Sequence, residues 1–446
     1  MTLRVHPDEI VRTSASLLLA IHDSWERARL GDVADVLNGF AFKSALFGRQ
    51  NGMPLLRIRD VGRSDTATSY SGEYDAMYVV ERGSIVVGMD GDFRVALWTG
   101  RPALLNQRVC KITVRDEDLF EHRFLLHVLQ GYLDAINAQT SSVTVKHLSS
   151  RTVQDIPLPL PPLNEQRRIV AAIEEQLSRL DAADASLSQA RRRLDAFRRA
   201  ALVDGFNGSW PRVPLKEVTD EGRPICYGIL KPKTVGDLRV PYVEVRSIKN
   251  GRVDVESLHR TTRALHDEFK RSELRAGDVV LAIRGSFDRA AVVPVQLEGA
   301  NVSRDVARIA PLPVLDSSYL AHYLGGPVAY RYFARAARGV AVRGVNIGDL
   351  RTMPIPLPPL EEQKRIVAEV EKRLSVIDVM RASIERAERR SAALRRSILE
   401  RAFRGELVPQ DPSDEPASVL LDRIRAERAA DEPTSRRKAT TSRPAS

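Results

Sequence analysis

The sequence predicts an α+β protein in which two β-rich domains are joined by two long antiparallel coiled-coil helices, in a pseudo-twofold circular arrangement. Three observations support this fold class. The segment 157–170 returns at 354–367 with eleven of its fourteen positions identical. A long helical pattern follows each copy, and a segment of short alternating apolar runs precedes each copy. Repeats of this length indicate a duplicated structural unit.

The repeated segment is predicted to begin as an extended run and to continue as a helix. Pro157–Pro162 alternates proline with leucine. Because proline lacks an N–H and fixes φ, this run can be neither helix nor central strand. Helical periodicity starts directly afterwards, where Asn164 or Glu361 can cap or charge the first turn. No proline or glycine interrupts the helices before Gly205 and Gly405, so each can run for about 40 residues, or roughly 60 Å.

Both helices carry one apolar stripe whose spacings alternate between three and four residues. Such a stripe is a seam for another helix, because a single helix cannot bury it alone. The seam has the same register in both copies, so we expect the two helices to pack on each other rather than to lie on independent domains. The expected helix and partner interface consists of Leu163, Gln166, Val170, Ile173, Leu177, Leu180, Leu360, Gln363, Val367, Val370, Leu374 and Ile377.

The repeated segments divide the chain into six parts. The two β-rich domains keep the same order of strand patterns and differ in most side chains, and each ends in a helical segment. The N-terminal segment is expected to dock on the end of the second long helix. In the tail, Val419–Ala430 could form a helical turn or more, and the rest is polar and basic. The predicted boundaries are 1–24 for the N-terminal helical segment, 25–156 for the first β-rich domain, 157–208 for the first proline-rich turn and long helix, 209–353 for the second β-rich domain, 354–408 for the second turn and helix, and 409–446 for a mostly disordered tail.

Composition restricts the class of partner. The formal net charge is +10 and the pI is about 9.7, which favours an anionic partner such as nucleic acid, although an arginine-rich genome produces the same bias. The two cysteines, Cys110 and Cys226, lie in different segments and cannot build a disulfide framework or a metal site by themselves. No apolar run approaches the roughly 18 residues of a membrane span, which predicts a cytoplasmic protein without a membrane partner.

Motifs for catalysis are absent from the sequence. It contains no Gly-x4-Gly-Lys-Ser/Thr phosphate loop, no Gly-x-Gly-x-x-Gly fingerprint after a strand, no Asn/Asp-Pro-Pro-Tyr/Phe methyltransferase motif and no nuclease cluster. The eight histidines show no repeated metal-ligand spacing, and the nearly matched His127 and His322 are expected to be core or surface residues. The chain is therefore predicted to be non-catalytic, with no metal and no cofactor of its own.

Polar loops between the predicted strands are the candidates for contacts with DNA. Arginine, asparagine, glutamine and aspartate make directional contacts to base edges, while basic residues also hold phosphates. The alternative is that Gly91 and Gly285 merely turn hairpins and that the charged side chains are solvated. Arginines near the helix ends are expected to face solvent or a partner, with phosphate contact as a further possibility. The candidates are Lys43, Arg57, Arg59, Met89, Asp90, Asp92, Phe93, Arg94, Asn106, Gln107, Arg108, Lys146 and His147 in the first domain, and Arg246, Arg284, Ser286, Phe287, Arg289, Asn301, Ser303, Arg304, Asp305, Arg343 and Asn346 in the second.

The repeated Pro-Leu-Pro-Pro-Leu-x-Glu-Gln-x-Arg-Ile-Val, at the head of a long helix after each of two diverged domains, resembles the specificity (S) subunit of type I restriction-modification systems. The segments Gly88–Phe93 and Leu105–Cys110 are also similar to the target recognition domains of that family. The resemblance covers about residues 25–408. It departs in the second domain, where Val302–Asp305 stands in place of an Asn-Gln-Arg triplet.

The resemblance implies a non-catalytic subunit with two target recognition domains, each reading one half of a bipartite site in double-stranded DNA. The helices would set the unread spacer and dock methyltransferase (M) subunits, expected to number two. The M subunits would methylate adenine with S-adenosylmethionine, and restriction (R) subunits would cut DNA with ATP and magnesium. Two alternatives remain open: a scaffold or adaptor that binds M subunits without reading DNA, and a methyltransferase or nuclease with unrecognised motifs.

Overall fold

The computed structural model describes residues 6–49, 51–139, 146–231, 236–336 and 344–439, with side chains up to residue 430. The chain forms two compact units. The first unit contains the residues up to Asp184 and those from Arg389 onward, and the second contains Ala185–Glu388. The α-helices are α1 (Pro7–Thr13), α2 (Leu30–Val33), α3 (His122–Gln139), α4 (Ser150–Gln154), α5 (Leu163–Asp204), α6 (Arg263–Glu268), α7 (Ser317–Leu324), α8 (Pro327–Ala336), α9 (Ile347–Arg351), α10 (Leu360–Phe403) and α11 (Ala417–Ala439).

Strands are numerous and short in both units. Those of the first unit are β1 (Glu26–Arg29), β2 (Ala34–Asn38), β3 (Phe47–Gly48), β4 (Met53–Leu56), β5 (Ser69–Tyr70), β6 (Val79–Val80), β7 (Ile85–Gly88), β8 (Val95–Leu97), β9 (Ala103–Leu105), β10 (Val109–Val114) and β11 (Pro157–Leu160). Those of the second unit are β12 (Arg212–Pro214), β13 (Cys226–Tyr227), β14 (Leu238–Val243), β15 (Ile248–Lys249), β16 (Arg252–Val253), β17 (His259–Thr262), β18 (Val279–Ala282), β19 (Ala290–Val292), β20 (Asn301–Val302), β21 (Val306–Ile309) and β22 (Pro354–Pro356).

The repeated segment folds as its prolines predict. Its extended part is strand β11 in the first copy and β22 in the second, and each pairs with one antiparallel strand, β1 or β12, in a two-stranded sheet. Proline is tolerated there because both strands of a two-stranded sheet are edge strands. The helices that follow, α5 and α10, are 42 and 44 residues long. The predicted change from an extended run to a long helix is confirmed, and the extended run pairs as a strand in both copies.

The β-rich part of each unit is built on the same sheet order. The first unit has a four-stranded antiparallel sheet β2-β10-β7-β8, and the second has β13-β21-β18-β19. Each unit also contains a second sheet with one parallel pair, β4 with β9 and β14 with β20. The order of strands expected from the sequence is therefore confirmed, and the parallel pairs are an addition that the sequence analysis did not anticipate.

The apolar stripes of the long helices are covered partly by the domain of the same unit. In the first unit, Val170 and Ile173 belong to one buried cluster with Phe124 of α3 and with Ile398 and Phe403 of α10. In the second unit, Val370, Leu374 and Ile377 of α10 cluster with residues of α5 and α7. The seam thus serves two neighbours at once, the other long helix and the domain that precedes the repeat.

Ion pairs give the direction of the long helices in the second unit. Arg191 lies 3.3 Å from Glu388, Arg198 lies 3.6 Å from Asp378, and Asp204 lies 3.8 Å from Arg373. Residue numbers therefore rise along α5 as they fall along α10. The predicted antiparallel packing is confirmed there.

Four residues of the predicted seam lie elsewhere than expected. Gln166 and Gln363 are fully buried, but they bond to the backbone of their own domain and of the proline strand rather than across to the other helix. Leu163 is half-buried and Leu360 is 36% exposed. Both leucines are the first residue of their helix, where the stripe is not yet covered.

The N-terminal segment docks on the end of α10, as predicted. Ile10 and Trp25 belong to the same buried cluster as Phe403. The chain then turns at Gly405, whose φ is +69° and whose missing Cβ leaves room for His22, because an added Cβ would lie 2.9 Å from that of His22. A backbone with positive φ strains other residues, so glycine is required at this turn.

The helix that the sequence allowed over Val419–Ala430 is present in the tail and is longer than expected, so the tail is not mostly disordered. Helix α11 occupies part of it, and Leu420, Leu421 and Ile424 are buried in the core cluster of the first unit. Arg168 of α5 also pairs with Asp414 at 2.7 Å. The charge-rich composition hid a short apolar stripe with helical spacing, which the tertiary contacts of the first unit bury. Residues 440–446 lie outside the described part of the chain.

Candidate functional site

Most candidate loops of the first unit leave one edge of its four-stranded sheet. Strand β2 ends opposite the start of β10, and β7 ends opposite the same strand and opposite the start of β8. Because neighbouring strands are antiparallel, the loops after β2 and β7 meet the loops before β10 and β8. We call the residues 39–43, 89–94, 106–108 and 146–147 the first edge.

Backbone hydrogen bonds hold the first edge in one conformation. The amide of Phe40 donates to the carbonyl of Leu105 (2.9 Å), and the amide of Gln107 donates to the carbonyl of Phe40 (3.0 Å). Gly39 makes this close approach possible, because a Cβ there would lie 2.1 Å from the carbonyl oxygen of Asn106. The side chain of Gln107 is exposed. A fixed backbone therefore presents this amide to solvent.

A second group of bonds orders the charged residues of the first edge. Asp90 accepts from Arg108 at 2.6 Å and lies 2.7 Å from Nδ1 of His147. The amide of Met89 donates to the carbonyl of Arg108 at 2.9 Å, which brings the two loops together. Surface ion pairs stabilise a fold by only about 0–1 kcal/mol. The main consequence of this cluster is therefore a defined position for the Arg108 guanidinium.

The second unit has the same edge with different side chains. The amide of Ile229 donates to the carbonyl of Val302 (2.8 Å), and the amide of Arg304 donates to the carbonyl of Ile229 (2.9 Å). Ile283 donates to the carbonyl of Asp305 at 2.9 Å. These bonds reproduce those of the first edge one by one. We call the residues 228–231, 283–289, 303–305 and 344–346 the second edge.

The matched backbone bonds give the equivalent residues of the two edges. They show that each edge has an ion pair at the same place, with the acidic and basic residues exchanged. Arg108 of the first edge corresponds to Asp305, and Asp90 corresponds to Arg284. Arg284 lies 3.6 Å from Asp305, so an ion pair is present in both edges with opposite polarity. The exposed Gln107 corresponds to the exposed Arg304. The two edges therefore share a backbone and offer different hydrogen-bonding groups.

The candidate residues fall into three groups by burial. The exposed ones are Lys43, Arg59, Asp92, Arg94, Gln107, Arg108, His147, Arg246, Arg284, Arg304 and Asn346. The half-buried ones are Arg57, Asp90, Lys146, Ser286, Arg289 and Asp305. The buried ones are Met89, Phe93, Asn106, Phe287, Asn301 and Ser303. Arg343 lies outside the described residues.

The buried group corrects the sequence-based assignment, since these side chains cannot reach a ligand from where they lie. Phe93 takes a positive φ of 46° and is 1% exposed in the core of the first unit. Asn301 accepts from the hydroxyl of Ser272 at 2.7 Å and donates to the carbonyl of Phe269 at 3.2 Å. Loop sequences do not show which side chains turn inward, because that choice depends on strands far away in the chain.

Two apolar side chains at the edges were missed by the sequence analysis. Phe40 is 48% exposed, and its ring lies 5.2 Å from the rings of both Phe42 and Tyr78. Leu230 of the second edge is 49% exposed. An apolar residue in the two positions after Gly39 or Gly228, at the end of a strand, is the signal that could have identified them.

A cleft of about 530 Å³ adjoins the second edge. It is lined by three exposed basic side chains, Lys231, Arg246 and Arg304, together with Glu244 and Asp305. Arg246 bonds to Glu244 at 2.9 Å, which fixes its direction. The chemistry of this cleft suits a polar, negatively charged ligand.

Matched histidines join each domain to its long helix. His127 lies 3.8 Å from Glu174 of α5, and His322 lies 3.6 Å from Glu371 of α10. Burial lowers the pKa of both imidazoles below the usual 6.5, and the facing carboxylates oppose that shift without reversing it. The neutral forms are therefore favoured in the folded protein.

We expect the free energy of unfolding to fall as the pH drops below about 6.5, because the unfolded chain then binds protons that the folded histidines resist. Urea unfolding between pH 7.5 and 5.5 checks this, with His127→Asn and His322→Asn combined in one variant. The variant should lose less stability over this range than the wild type. Gln189→Asn, at an exposed position of α5 that carries no titratable group, is the control and should keep the wild-type slope. Equal slopes in all three proteins would contradict the assignment.

The part of the chain that the structure describes offers neither a cluster of metal ligands nor a membrane span. No group of three or more histidine, cysteine, aspartate and glutamate residues there could hold a metal ion. No helix in the same residues combines the length and apolar character needed to cross a membrane.

Comparison with known proteins gives a consistent family. The family model described as the type I restriction modification DNA specificity domain matches residues 22–190 and 210–389. The chain is 38% identical over 457 residues to the type I restriction enzyme EcoBI specificity subunit of Escherichia coli, covering 95% of this chain and 96% of that protein. It is 25% identical to the EcoKI specificity subunit of Escherichia coli strain K12, covering 92% and 96%. A chain from a solved structure on complex assembly and conformational transition of the type I R-M system matches with a TM-score of 0.66 and 21% identity, covering 87% and 99%.

Proposed function

Because this chain belongs to the type I restriction modification DNA specificity family, we propose that it is the non-catalytic subunit that selects the DNA sequence for a type I restriction-modification complex. One observation carries this proposal beyond the family. The two edges share their backbone hydrogen bonds and differ in the groups they present, Gln107 and Arg108 in one and Arg304 in the other. That is the arrangement expected of two readers built on one scaffold for two different sequences.

Each edge reads one half of a bipartite site in double-stranded DNA. In the major groove, glutamine pairs with adenine through two hydrogen bonds, and arginine pairs with guanine in the same way. The first edge therefore suits a half-site with adenine opposite Gln107, and the second suits guanine opposite Arg304. The basic residues around both edges, including Lys43 and Arg246, hold phosphates and fix the register.

Catalysis belongs to partner subunits. Two M subunits dock around the long helices and methylate adenine with S-adenosylmethionine, while R subunits use ATP and magnesium to cut DNA. The long helices set the length of the spacer that is not read. The assembly works in the cytoplasm, where its DNA substrate is found. Family membership and the two long helices support this division of labour.

The test is methylome sequencing of cells that express this chain with the M subunit encoded beside it. We expect a new bipartite adenine-methylated motif that is absent from cells without the chain. Replacing residues 25–156 by the corresponding domain of another family member should change one half of the motif and keep the other half and the spacer. Replacing residues 209–353 is the matched control and should change only the opposite half. An active, assembled M subunit without any new mark would instead point to a scaffold that does not read DNA.

A further inference from the structure

A cleft of about 610 Å³ in the second unit begins at Asp288 and Arg289 of the second edge and extends to the long helices. Its walls are the C-terminal part of α5, the middle of α10, the β15–β16 turn and the start of α8. Five basic side chains line it, against two acidic ones, Asp195 and Asp288. The basic residues are Arg198, Arg199, Lys249, Arg289 and Arg381.

The first unit contains the corresponding helix positions, and there the carboxylates neutralise the equivalent arginine. At the constant offset of the repeat, Arg395 of α10 corresponds to Arg198 of α5. Arg395 donates to Asp181 at 2.6 Å and to Asp184 at 2.8 Å. Two carboxylates thus neutralise one guanidinium, and these bonds raise the pKa of Arg395.

In the second unit one of those two carboxylates is replaced by a cation. Asp378 corresponds to Asp181, and Arg381 corresponds to Asp184. Arg198 lies 3.6 Å from Asp378, and its buried Nη1 makes no hydrogen bond to any described residue. Burial lowers the pKa of Arg198, Asp378 opposes this shift, and the nearby Arg381 adds to it. Asp195 and Asp288 also oppose the shift, yet the Nη1 nitrogen of Arg198 stays without a hydrogen bond among the described residues.

The remaining contacts satisfy the basic side chains of the cleft only in part. Arg381 pairs with Asp195, but its Nε is also buried without a hydrogen-bond partner among the described residues. Arg199 is exposed beside the cleft. Arg198 and Arg381 therefore each have a carboxylate neighbour and also one buried nitrogen without a hydrogen bond in the described part of the chain. Because an unpaired buried polar atom is costly, this arrangement fits an anion that accepts from those nitrogens.

The cleft is continuous with the second edge. Asp288 and Arg289 close the loop 283–289 of that edge and also line the cleft. Arg289 donates from Nη1 to the carbonyl of Val245 at 3.0 Å. This bond fixes the Arg289 side chain between the second edge and the cleft. A ligand that extends from the second edge along the protein surface would reach the cleft next.

We propose that this cleft binds a phosphate group, and that in the assembled complex this phosphate belongs to the DNA backbone beside the half-site read by the second edge. The identity of the source rests on the proposed function, whereas the phosphate chemistry rests on the unsatisfied guanidinium groups. At the corresponding position of the first unit we expect no phosphate contact, because Asp181 and Asp184 already bind Arg395. The two halves of the DNA site are thus held differently.

The first unit supplies the design of the test. Ala392 corresponds to Asp195, as Asp184 corresponds to Arg381. The double variant Asp195→Ala with Arg381→Asp therefore gives the second unit the residues that stand at these two positions in the first unit, where two aspartates bind the arginine. The net charge changes by −1, and Lys372→Gln on the exposed side of α10 is the control with the same change. The melting temperature of the double variant should equal or exceed that of the wild type.

The readout is DNA binding by the complex of this chain with its M subunit at several salt concentrations. Each phosphate contact contributes about 0.9 to the slope of log K against log salt. We expect the slope of log K against log salt to be smaller by about 0.9 in the double variant, which corresponds to one phosphate contact. Its affinity for DNA should fall about tenfold at 0.1 M salt, and its methylation motif should be unchanged. Lys372→Gln should keep the wild-type slope. Arg199→Gln, which removes one cation without touching the helix pair, serves if the double variant melts lower.

A second arm separates the two sources of phosphate. Inorganic phosphate and then ATP are titrated into the complex without DNA by calorimetry. An unchanged DNA slope, with saturable phosphate or ATP binding that the double variant loses, would overturn the DNA backbone as the source and keep the phosphate site. An unchanged slope without such binding would overturn the site itself. Absence of site-specific binding by the wild type would count against the proposed function, a result distinct from both.

Discussion

Replacement of Gln107 by alanine is expected to weaken discrimination at one half-site by about 1–3 kcal/mol, a factor of roughly 5 to 150. The side chain is exposed on a backbone that Phe40 holds through two hydrogen bonds, so its loss removes a base contact and leaves the edge in place. The other half-site should be read as before. Competition binding by the complex with its M subunit, on duplexes varied in one half at a time, measures this.

Arg304→Ala is the reciprocal variant, because Arg304 holds the corresponding position in the second edge. It should relax the opposite half-site by a similar amount and also reduce the salt dependence of binding, since an arginine carries charge that glutamine lacks. Arg115→Ala is the control: Arg115 follows β10 at the far end of the sheet, where it pairs with Asp35. If either edge variant relaxed both half-sites equally, the assignment of one half-site to each edge would be wrong.

The largest expected effect on stability comes from the glutamine of the repeated segment. In the first unit the amide of Glu121 donates to Oε1 of Gln166 (2.9 Å), and Nε2 donates to the carbonyl of Pro161 (2.9 Å). Gln166 is fully buried. It ties the residue before α3 to the proline strand at the head of α5.

The equivalent glutamine of the second unit, Gln363, also joins the domain to the proline segment. Gln363 accepts from the amide of Asp316 (2.8 Å) and donates to the carbonyls of Val314 and Pro358, both at 2.9 Å. It too is fully buried. Both glutamines bond the amide of the residue before the next domain helix and a carbonyl of the proline segment, although the two domains differ in most side chains. These two shared bonds explain why this position is a glutamine in both copies.

Gln363→Leu is expected to lower the free energy of unfolding by about 3 kcal/mol, because it leaves the buried carbonyl of Pro358, the partly buried amide of Asp316 and the partly buried carbonyl of Val314 without this partner, at about 1 kcal/mol or more each. Gln166→Leu should lower it slightly less, since Gln166 has one carbonyl partner instead of two. Urea unfolding measures both. Gln189→Leu, at an exposed position of α5, is the control and should change stability by less than about 0.5 kcal/mol. A cost for Gln363→Leu as small as that of the control would show that the domain is not anchored through this side chain.

The repeat explains how much of the fold could be predicted from the sequence. Proline strand, helix start and helix length follow from residues within a few positions of one another, and the structure confirms them in both copies. The tail shows where this reasoning fails. The sequence allowed a short helix over Val419–Ala430 but did not show that Leu420 and Ile424 are buried in the first unit, where helix α11 continues to Ala439.

The candidate site was predictable only in outline. Loop positions followed from the strand pattern, and most charged candidates are indeed at the surface. Phe93, Phe287 and Asn301 were misassigned because a polar loop still turns some side chains into the core. Phe40 was missed because an aromatic residue after a strand is more often buried than exposed.

The sequence by itself determined the duplication, the long helices and the two diverged domains, because periodicity and proline chemistry act locally along the chain. Only the tertiary structure decided which groups are presented, through bonds between residues far apart. It showed that the ion pair Asp90–Arg108 of the first edge and the ion pair Arg284–Asp305 of the second edge occupy equivalent positions. The acidic and basic residues of the pair are exchanged between the two edges. It also showed that Arg395 bonds two aspartates, whereas the corresponding Arg198 has one aspartate at 3.6 Å and a buried nitrogen without a hydrogen bond among the described residues. Charges act through space, so their balance could be read only once the helices and strands had been brought together.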